Sequence, residues 1–283
     1  MHAPRSAPLI EPDLLMLAYR SGIFPMADSR EDPEIFWIEP RLRAVLPLDG
    51  FRMSRSLART LRRGRFTVTC NAAFEEVMDA CAAPRRVRPD DDAEGDGESG
   101  SWISHRIQAS YENLHYLGHA HSIECWQQAP EGRRLVGGLY GVGFDRVFCG
   151  ESMFSRVPDA SKVALAWLVA ALRRGGASLL DCQFITPHLA SLGAVEMSQK
   201  RYLALLQAAQ SSAPHSSVVP AAVSGAAVAV GEEDGTGAEA GREGGGGVLT
   251  LPEAFAALLE DAASAGLASS PGKCIAQALT QTS

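Results

Sequence analysis

GESMFSRVPDASKVALAWLVAALRRGGASLLDCQ, residues Gly150 to Gln183, is the stretch whose reading decides the fold. An apolar strand ends at Glu151. A strongly apolar helix starts at Asp159 or Ser161, runs to Arg174 and stops at Gly175 and Gly176; a second apolar strand, Ser178 to Cys182, then carries Asp181. A glycine pair ends a helix because glycine takes the left-handed turn that other residues resist. Carboxylates are seldom set at the ends of two apolar strands, since an unpaired buried charge is costly. The two acids flanking this helix therefore mark a built site.

Working outward, two more strand-like runs precede the first acid. His119 to Gln127, Arg134 to Val142 and Arg146 to Glu151 are separated by turn residues, Pro130-Glu131-Gly132 and Gly143-Phe144-Asp145. They predict an antiparallel meander, and with the helix and next strand a β-β-β-α-β order. That order is typical of an N-acetyltransferase-type core, with a V-shaped split between strands where an acyl donor sits. A coenzyme A site would need a glycine-rich phosphate loop entering the helix, and Phe154 to Lys162 contains no glycine. Another acyl donor is expected.

Towards the N-terminus, Asp13 is placed to cap a helix from Leu14 to Arg20. Ile23 to Met26 reads as an apolar turn, Phe36 to Ile38 as a short strand, and Ala44 to Leu46 as another. Ser54 caps an arginine-rich helix, Phe66 to Cys70 alternates like a strand, Asn71 is placed to cap a helix to about Cys81, and a helix is predicted over Ile103 to Leu117. Short helices are predicted over Pro187 to Leu192 and Gln199 to Ala208. The expected fold is α+β: a small N-terminal domain (1–41), an acetyltransferase-like core (42–210) interrupted by an acidic disordered loop (84–100), and a disordered low-complexity tail (211–283) in which Leu251 to Leu267 forms one amphipathic helix, docking weakly.

The chain of 283 residues is 46% hydrophobic, enough for a sizeable core. No apolar run approaches the length of a membrane span, and the N-terminus has no apolar signal-like region. Six scattered cysteines without a C-x-x-C pair fit a reducing cytoplasm rather than a disulfide scaffold. The net charge of −7 is unevenly spread. Asp90 to Glu98 and the residues after Ala204 hold the negative excess, leaving the remainder basic. Arg52, Arg55, Arg59, Arg62, Arg63 and Arg65 are the sharpest part of that surplus, and local patches, not the total, steer anionic partners. Such a run is either a solvated helix face or a contact surface for RNA phosphates.

The ordered motifs GIFPM (Gly22 to Met26), FWIEPRLRAVLPL (Phe36 to Leu48), LGHAHSIECW (Leu117 to Trp126), LVGGLYGV (Leu135 to Val142), FCGESMFSR (Phe148 to Arg156), DASK (Asp159 to Lys162), DCQ (Asp181 to Gln183) and HLASLGAVE (His188 to Glu196) resemble the leucyl/phenylalanyl-tRNA–protein transferase family over roughly residues 10 to 208. The resemblance implies an enzyme moving leucine, phenylalanine or methionine from aminoacyl-tRNA to proteins with N-terminal arginine or lysine, marking them for N-end-rule degradation. It implies no cofactor or metal, and no membrane or DNA partner. Asp181 and Gln183 match the family's proposed catalytic pair; two apart on one strand, they are expected to face the same side. Gln183 would orient the attacking amine while Asp181 polarises it, unless the ester's neighbouring ribose hydroxyl shuttles the proton. Glu151 would receive the acceptor's basic group or, alternatively, pair with Arg156.

The family's hydrophobic pocket aligns with Met153, Leu165, Leu168, Leu172 and Leu180, with Phe154 beside them; the three helical leucines share one face, as plain core would too. Aromatics for the terminal adenine of the tRNA are sought at position 26, which here is Met26, at Trp37 and at Trp102. Of these, Trp102 is the better candidate. His119 and His121 share a strand face without a third ligand to complete a metal set. A small-molecule N-acetyltransferase is the competing enzyme reading, disfavoured by the missing glycine loop. A non-catalytic tRNA- or degron-binding adaptor is another, disfavoured by Glu151, Asp181 and Gln183 occurring together.

Overall fold

The computed structural model describes residues 8–84, 101–211 and 248–280. The acidic loop and the connector beyond position 211 lie outside them, apart from Pro84 and Ser211 at their edges. Helix α1 (Pro12–Arg20) opens the described chain, followed by a hairpin of β1 (Phe24–Met26) and β2 (Phe36–Ile38). Glu11, not Asp13, stands at the N-cap position of α1, without a side-chain capping bond, because Pro12 occupies the first helical position and moves Asp13 into the first turn. The apolar turn expected at Ile23 to Met26 is largely strand, since Phe24 to Met26 pair with β2.

The remaining strands form one sheet of seven in the order β4-β5-β6-β7-β8-β3-β9: β3 (Leu42–Val45), β4 (Thr67–Cys70), β5 (Ala120–Ala129), β6 (Gly132–Phe144), β7 (Val147–Ser155), β8 (Leu179–Asp181) and β9 (Val195–Ser198). All neighbours run antiparallel except β7 and β8. The meander is present with longer strands than the apolar runs alone define. Gly143 and Phe144 stay paired in β6, and the turn is made by Asp145, whose φ is 48°, with Arg146. Asn71 does not cap a helix. Its φ is 58°, and its side chain instead accepts from the Ser122 backbone and meets His121 Nδ1, clipping β4 to β5.

Eight helices lie among the described residues from 55 to 280: α2 (Arg55–Arg62), α3 (Phe74–Ala82), α4 (His105–Tyr116), α5 (Ala160–Arg174), α6 (Pro187–Ser191), α7 (Gln199–Ser211) and the C-terminal hairpin of α8 (Leu251–Ser264) and α9 (Pro271–Ala278). Ser54 and Ser104 cap α2 and α4 by accepting backbone N–H groups three residues on. Helix α5 is buried from Ala160 to Leu172 with little respite, and a helix apolar all round must be covered on both sides. The sheet covers one side; α2, α8 and α9 cover the other. Leu251, Ala254, Phe255, Leu258, Ile275 and Leu279 belong to the same core as Trp167 and Leu168, so the C-terminal hairpin is packed into the protein rather than loosely docked. Burying such side chains contributes about 1.5–3 kcal/mol each.

Candidate active site

The parallel pairing of β7 and β8 covers only Val147–Cys149 against Leu179–Asp181. Beyond it β7 continues to Ser155, while the chain after Asp181 bonds the other neighbour: Cys182 N donates to Ala44 O, and Ala44 N to Gln183 O. The sheet therefore splits, as the topology predicts. In the split lies a cavity of about 740 Å³, walled by β7 on one side and by the residues after β8 on the other, with Leu165 and Leu168 of α5 beneath.

A register shift puts Glu151 at the cavity. Tyr140 pairs with Ser152 and Gly141 with Gly150, so Glu151 is the extra residue of a β-bulge in β7. Bulges re-aim a side chain, and they are frequent beside active sites. Gly141 permits this one: a Cβ there would collide with the Cys149 carbonyl and the Phe148 ring. The Glu151 carboxyl accepts from Gln183 Nε2 at 3.0 Å and from Tyr111 OH at 3.4 Å, and Tyr111 in turn bonds Tyr19. The residue is half-buried at the cavity floor, and burial pushes its pKa up to about 8, against the opposing hydrogen bonds of the tyrosines. The nearby Tyr140 hydroxyl is buried and lacks a hydrogen-bond partner among the described residues.

Gln183 departs from the strand alternation expected for it. Its φ is 55°, and Phe184 N bonds back to Cys182 O at 2.7 Å, closing a three-residue turn just after β8. Non-glycine residues enter this region only when the surroundings hold them there. Here Gln183 N donates to Asp181 Oδ1 at 2.9 Å, its carbonyl is bound by Ala44, and its amide reaches Glu151.

Asp181 occupies a different place from the one expected. It is fully buried behind the cavity wall, and both its oxygens are engaged. Oδ1 accepts from Arg43 Nε at 2.8 Å and from Gln183 N, while Oδ2 accepts from Arg43 Nη2 at 2.5 Å and Tyr202 OH at 3.0 Å. A carboxylate with four donors has no lone pair to offer an incoming amine. Asp181 thus holds the Gln183 turn from behind the cavity wall. Arg43 also donates to Gly22 O and stacks between Phe24 and Tyr202, so one guanidinium joins the N-terminal unit, the sheet and α7. Burial opposes the Arg43 charge, but the hydrogen bond and charge of Asp181 outweigh it and hold the guanidinium above its ordinary pKa. Sequence reading passed over Arg43, Tyr19, Tyr111 and Tyr202.

Of the expected pocket residues, Met153, Phe154, Leu165, Leu168, Leu180, Trp102 and Met26 line the cavity. Leu172 does not: it lies seven residues along α5 from Leu165, about 10 Å of helix rise, inside the core. Trp37 does not either. It pairs with Pro25, whereas Met26 and Phe24, the cavity-facing residues of β1, are opposite Phe36 and Ile38, so Trp37 falls on the other face of the hairpin. Glu151 makes no ion pair with Arg156, which donates to Leu135 O and covers the Phe154 ring. His115 stacks on Phe74, and His121, bonded to Asn71, is pushed down to about 4 by burial and by His115 and His119. All six arginines from Arg52 to Arg65 are exposed, and none is ion-paired among the described residues.

The chain has close relatives. The family model for the leucyl/phenylalanyl-tRNA protein transferase matches residues 45–207, and the model for that transferase's N-terminal domain matches residues 9–41. A leucyl/phenylalanyl-tRNA–protein transferase of Novosphingobium aromaticivorans is 63% identical over 97% of both chains. Those of Rhizorhabdus wittichii and Zymomonas mobilis are 58% and 56% identical, covering 71% and 72% of this chain and 75% and 71% of theirs. A crystal structure of FemX is similar over 66% of each chain, with 12% identity and a TM-score of 0.42. The family-model matches and the curated relatives define an aminoacyltransferase. The chain belongs to the leucyl/phenylalanyl-tRNA–protein transferase family.

Proposed function

We propose that this enzyme transfers leucine, phenylalanine or methionine from aminoacyl-tRNA to the N-terminal arginine or lysine of acceptor proteins in the cytoplasm, marking them for N-end-rule degradation. One observation carries the reading: an apolar cavity opens directly beside the hydrogen-bonded Gln183–Glu151 pair. The transferred side chain would lie against Met153, Leu165 and Leu168. Valine and isoleucine, wide near their root, would fit this slot poorly, with discrimination of about 1–3 kcal/mol.

The reaction is aminolysis. The neutral α-amine attacks the ester carbonyl, the bond to the ribose oxygen breaks, and one amine proton ends on that oxygen. With one Nε2 hydrogen committed to Glu151, Gln183 presents its oxygen as an acceptor suited to an amine N–H. Holding the amine this way directs its lone pair at the ester. Glu151 would meet the acceptor's cation, whose charge favours the ionised carboxylate. Because Asp181 is saturated by its four donors, the proton route that fits best runs through the ester's neighbouring ribose hydroxyl. The exposed arginines around α2 would take the tRNA backbone.

The test mixes radiolabelled leucyl-tRNA with a protein bearing N-terminal arginine. Transfer is expected from the wild type and is expected to fall about 100-fold in Gln183→Ala, the scale of a misplaced reacting group. Wild-type rates in that variant would remove Gln183 from the chemistry.

A further inference from the structure

Beyond the point where the sheet splits, one edge of β7 has no neighbouring strand among the described residues. Its pairing with β8 stops at Cys149 and Asp181, after which the chain turns at Gln183 towards β3. Every residue from Gly150 to Ser155 lines the cavity, although successive side chains of a strand point to opposite faces. The cavity therefore runs along the edge of β7 rather than under one of its faces.

The ladder between β6 and β7 shows what that edge presents. Arg156 N donates to Val136 O at 2.8 Å, and Phe154 and Ser152 stand opposite Gly138 and Tyr140. In an antiparallel pair only every second residue exchanges hydrogen bonds with the strand beside it. Arg156, Phe154 and Ser152 fall in that set, so Met153 and Ser155 direct their backbone N–H and C=O the other way, into the split. No backbone group among the described residues meets them there. Such a row is a template for one more strand.

The position of the row selects its occupant. It begins beside Glu151 and Gln183, and it continues the line of β8, which runs parallel to β7. The donor ends in a nucleoside carrying one amino acid and offers no series of amides. The acceptor is a polypeptide, and it does.

We propose that the N-terminal segment of the acceptor protein binds in extended form as an added strand parallel to β7. Its first residue lies at the Glu151–Gln183 pair, and the residues after it bond through their backbone to Met153 and Ser155. This rests on the aminoacyl-transfer reading above. Main-chain bonds are indifferent to side chains, so the first residue is read by its charge and the following ones by their amides. In the added strand, too, only alternate N–H groups face β7.

Hexapeptides with N-terminal arginine test it when the amides of residues 2 to 5 are N-methylated one at a time. Transfer from saturating leucyl-tRNA gives KM and kcat for each peptide, and calorimetry gives its binding to the intact enzyme. KM is expected to rise about three- to ten-fold at alternate residues and to stay near the unmodified value between them, with kcat little changed. Esters replacing the same amides remove the N–H without adding a methyl group, and they should repeat the pattern. A scan that is flat, that rises equally at every residue, or that alternates with methyl groups but not with esters overturns the added strand. Transfer to the unmodified peptide would then leave the catalytic reading intact. Alternating affinities in an enzyme that transfers nothing would leave the strand standing and remove the proposed activity.

Discussion

Glu151 is held at a pKa near 8 chiefly by burial, well above its ordinary 4.5. The folded state keeps its proton where the unfolded chain has lost it, so stability falls as pH rises between those values. Glu151→Gln should remove this slope and gain in melting temperature over the wild type at pH 8–9 but not near pH 4, measured by calorimetry. The same shift bears on the acceptor. A cationic N-terminus favours the carboxylate, so binding should release a proton and weaken as pH drops below about 8. Titration calorimetry in two buffers of different ionisation enthalpy would register that proton; equal heats would mean Glu151 does not meet the cation. Asp181 behaves differently. Truncating it to alanine leaves the Arg43 charge buried without its partner, a loss on the order of 3–5 kcal/mol, read by urea denaturation. An inactive but fully stable Asp181→Ala would instead favour a direct part in the chemistry.

At the scale of elements, the bulge in β7 is what turns Glu151 into the cavity. Gly141→Ala should press on the Cys149 carbonyl, cost about 1–3 kcal/mol as overpacking does, and reduce transfer beyond what the stability loss explains. Much of this level was legible in the sequence. The meander, the apolar helix and the strand bearing Asp181 have strong periodicities, and the β-β-β-α-β order suggests a core whose sheet splits. The bulge was not legible, because one extra residue in a strand leaves no mark on an apolar run. Nor was the Arg43–Asp181 pair: 138 residues separate the partners, and nothing local in RLRAV announces that its second arginine points inward. Gln183 was misread for a related reason. Strand alternation was extended two residues past Asp181, into a turn held by long-range hydrogen bonds. The cover over α5 could have been found, since a helix without a polar face requires a second layer; only the C-terminal hairpin was available beyond α2 to supply it.

For the whole molecule, net charge is a poor guide to partners. The chain is acidic overall, yet the face carrying α2 is arginine-rich and unpaired. tRNA affinity should accordingly fall steeply with added salt despite a sequence pI of about 5.5, and a flat salt response would exclude backbone contacts as its source. Residues 248–280 contribute to the main core, so ending the chain at Ser211 should expose the outer side of α5 and lower thermal stability, not merely trim a tail. The joining stretch, by contrast, connects two surfaces that already recognise each other through Phe255, Leu258, Ile275 and Leu279. Covalent linkage of those two surfaces raises their effective concentration for each other. Produced as two separate chains, residues 1–211 and 248–283 should copurify, and a synthetic hairpin added in trans should restore a truncated enzyme.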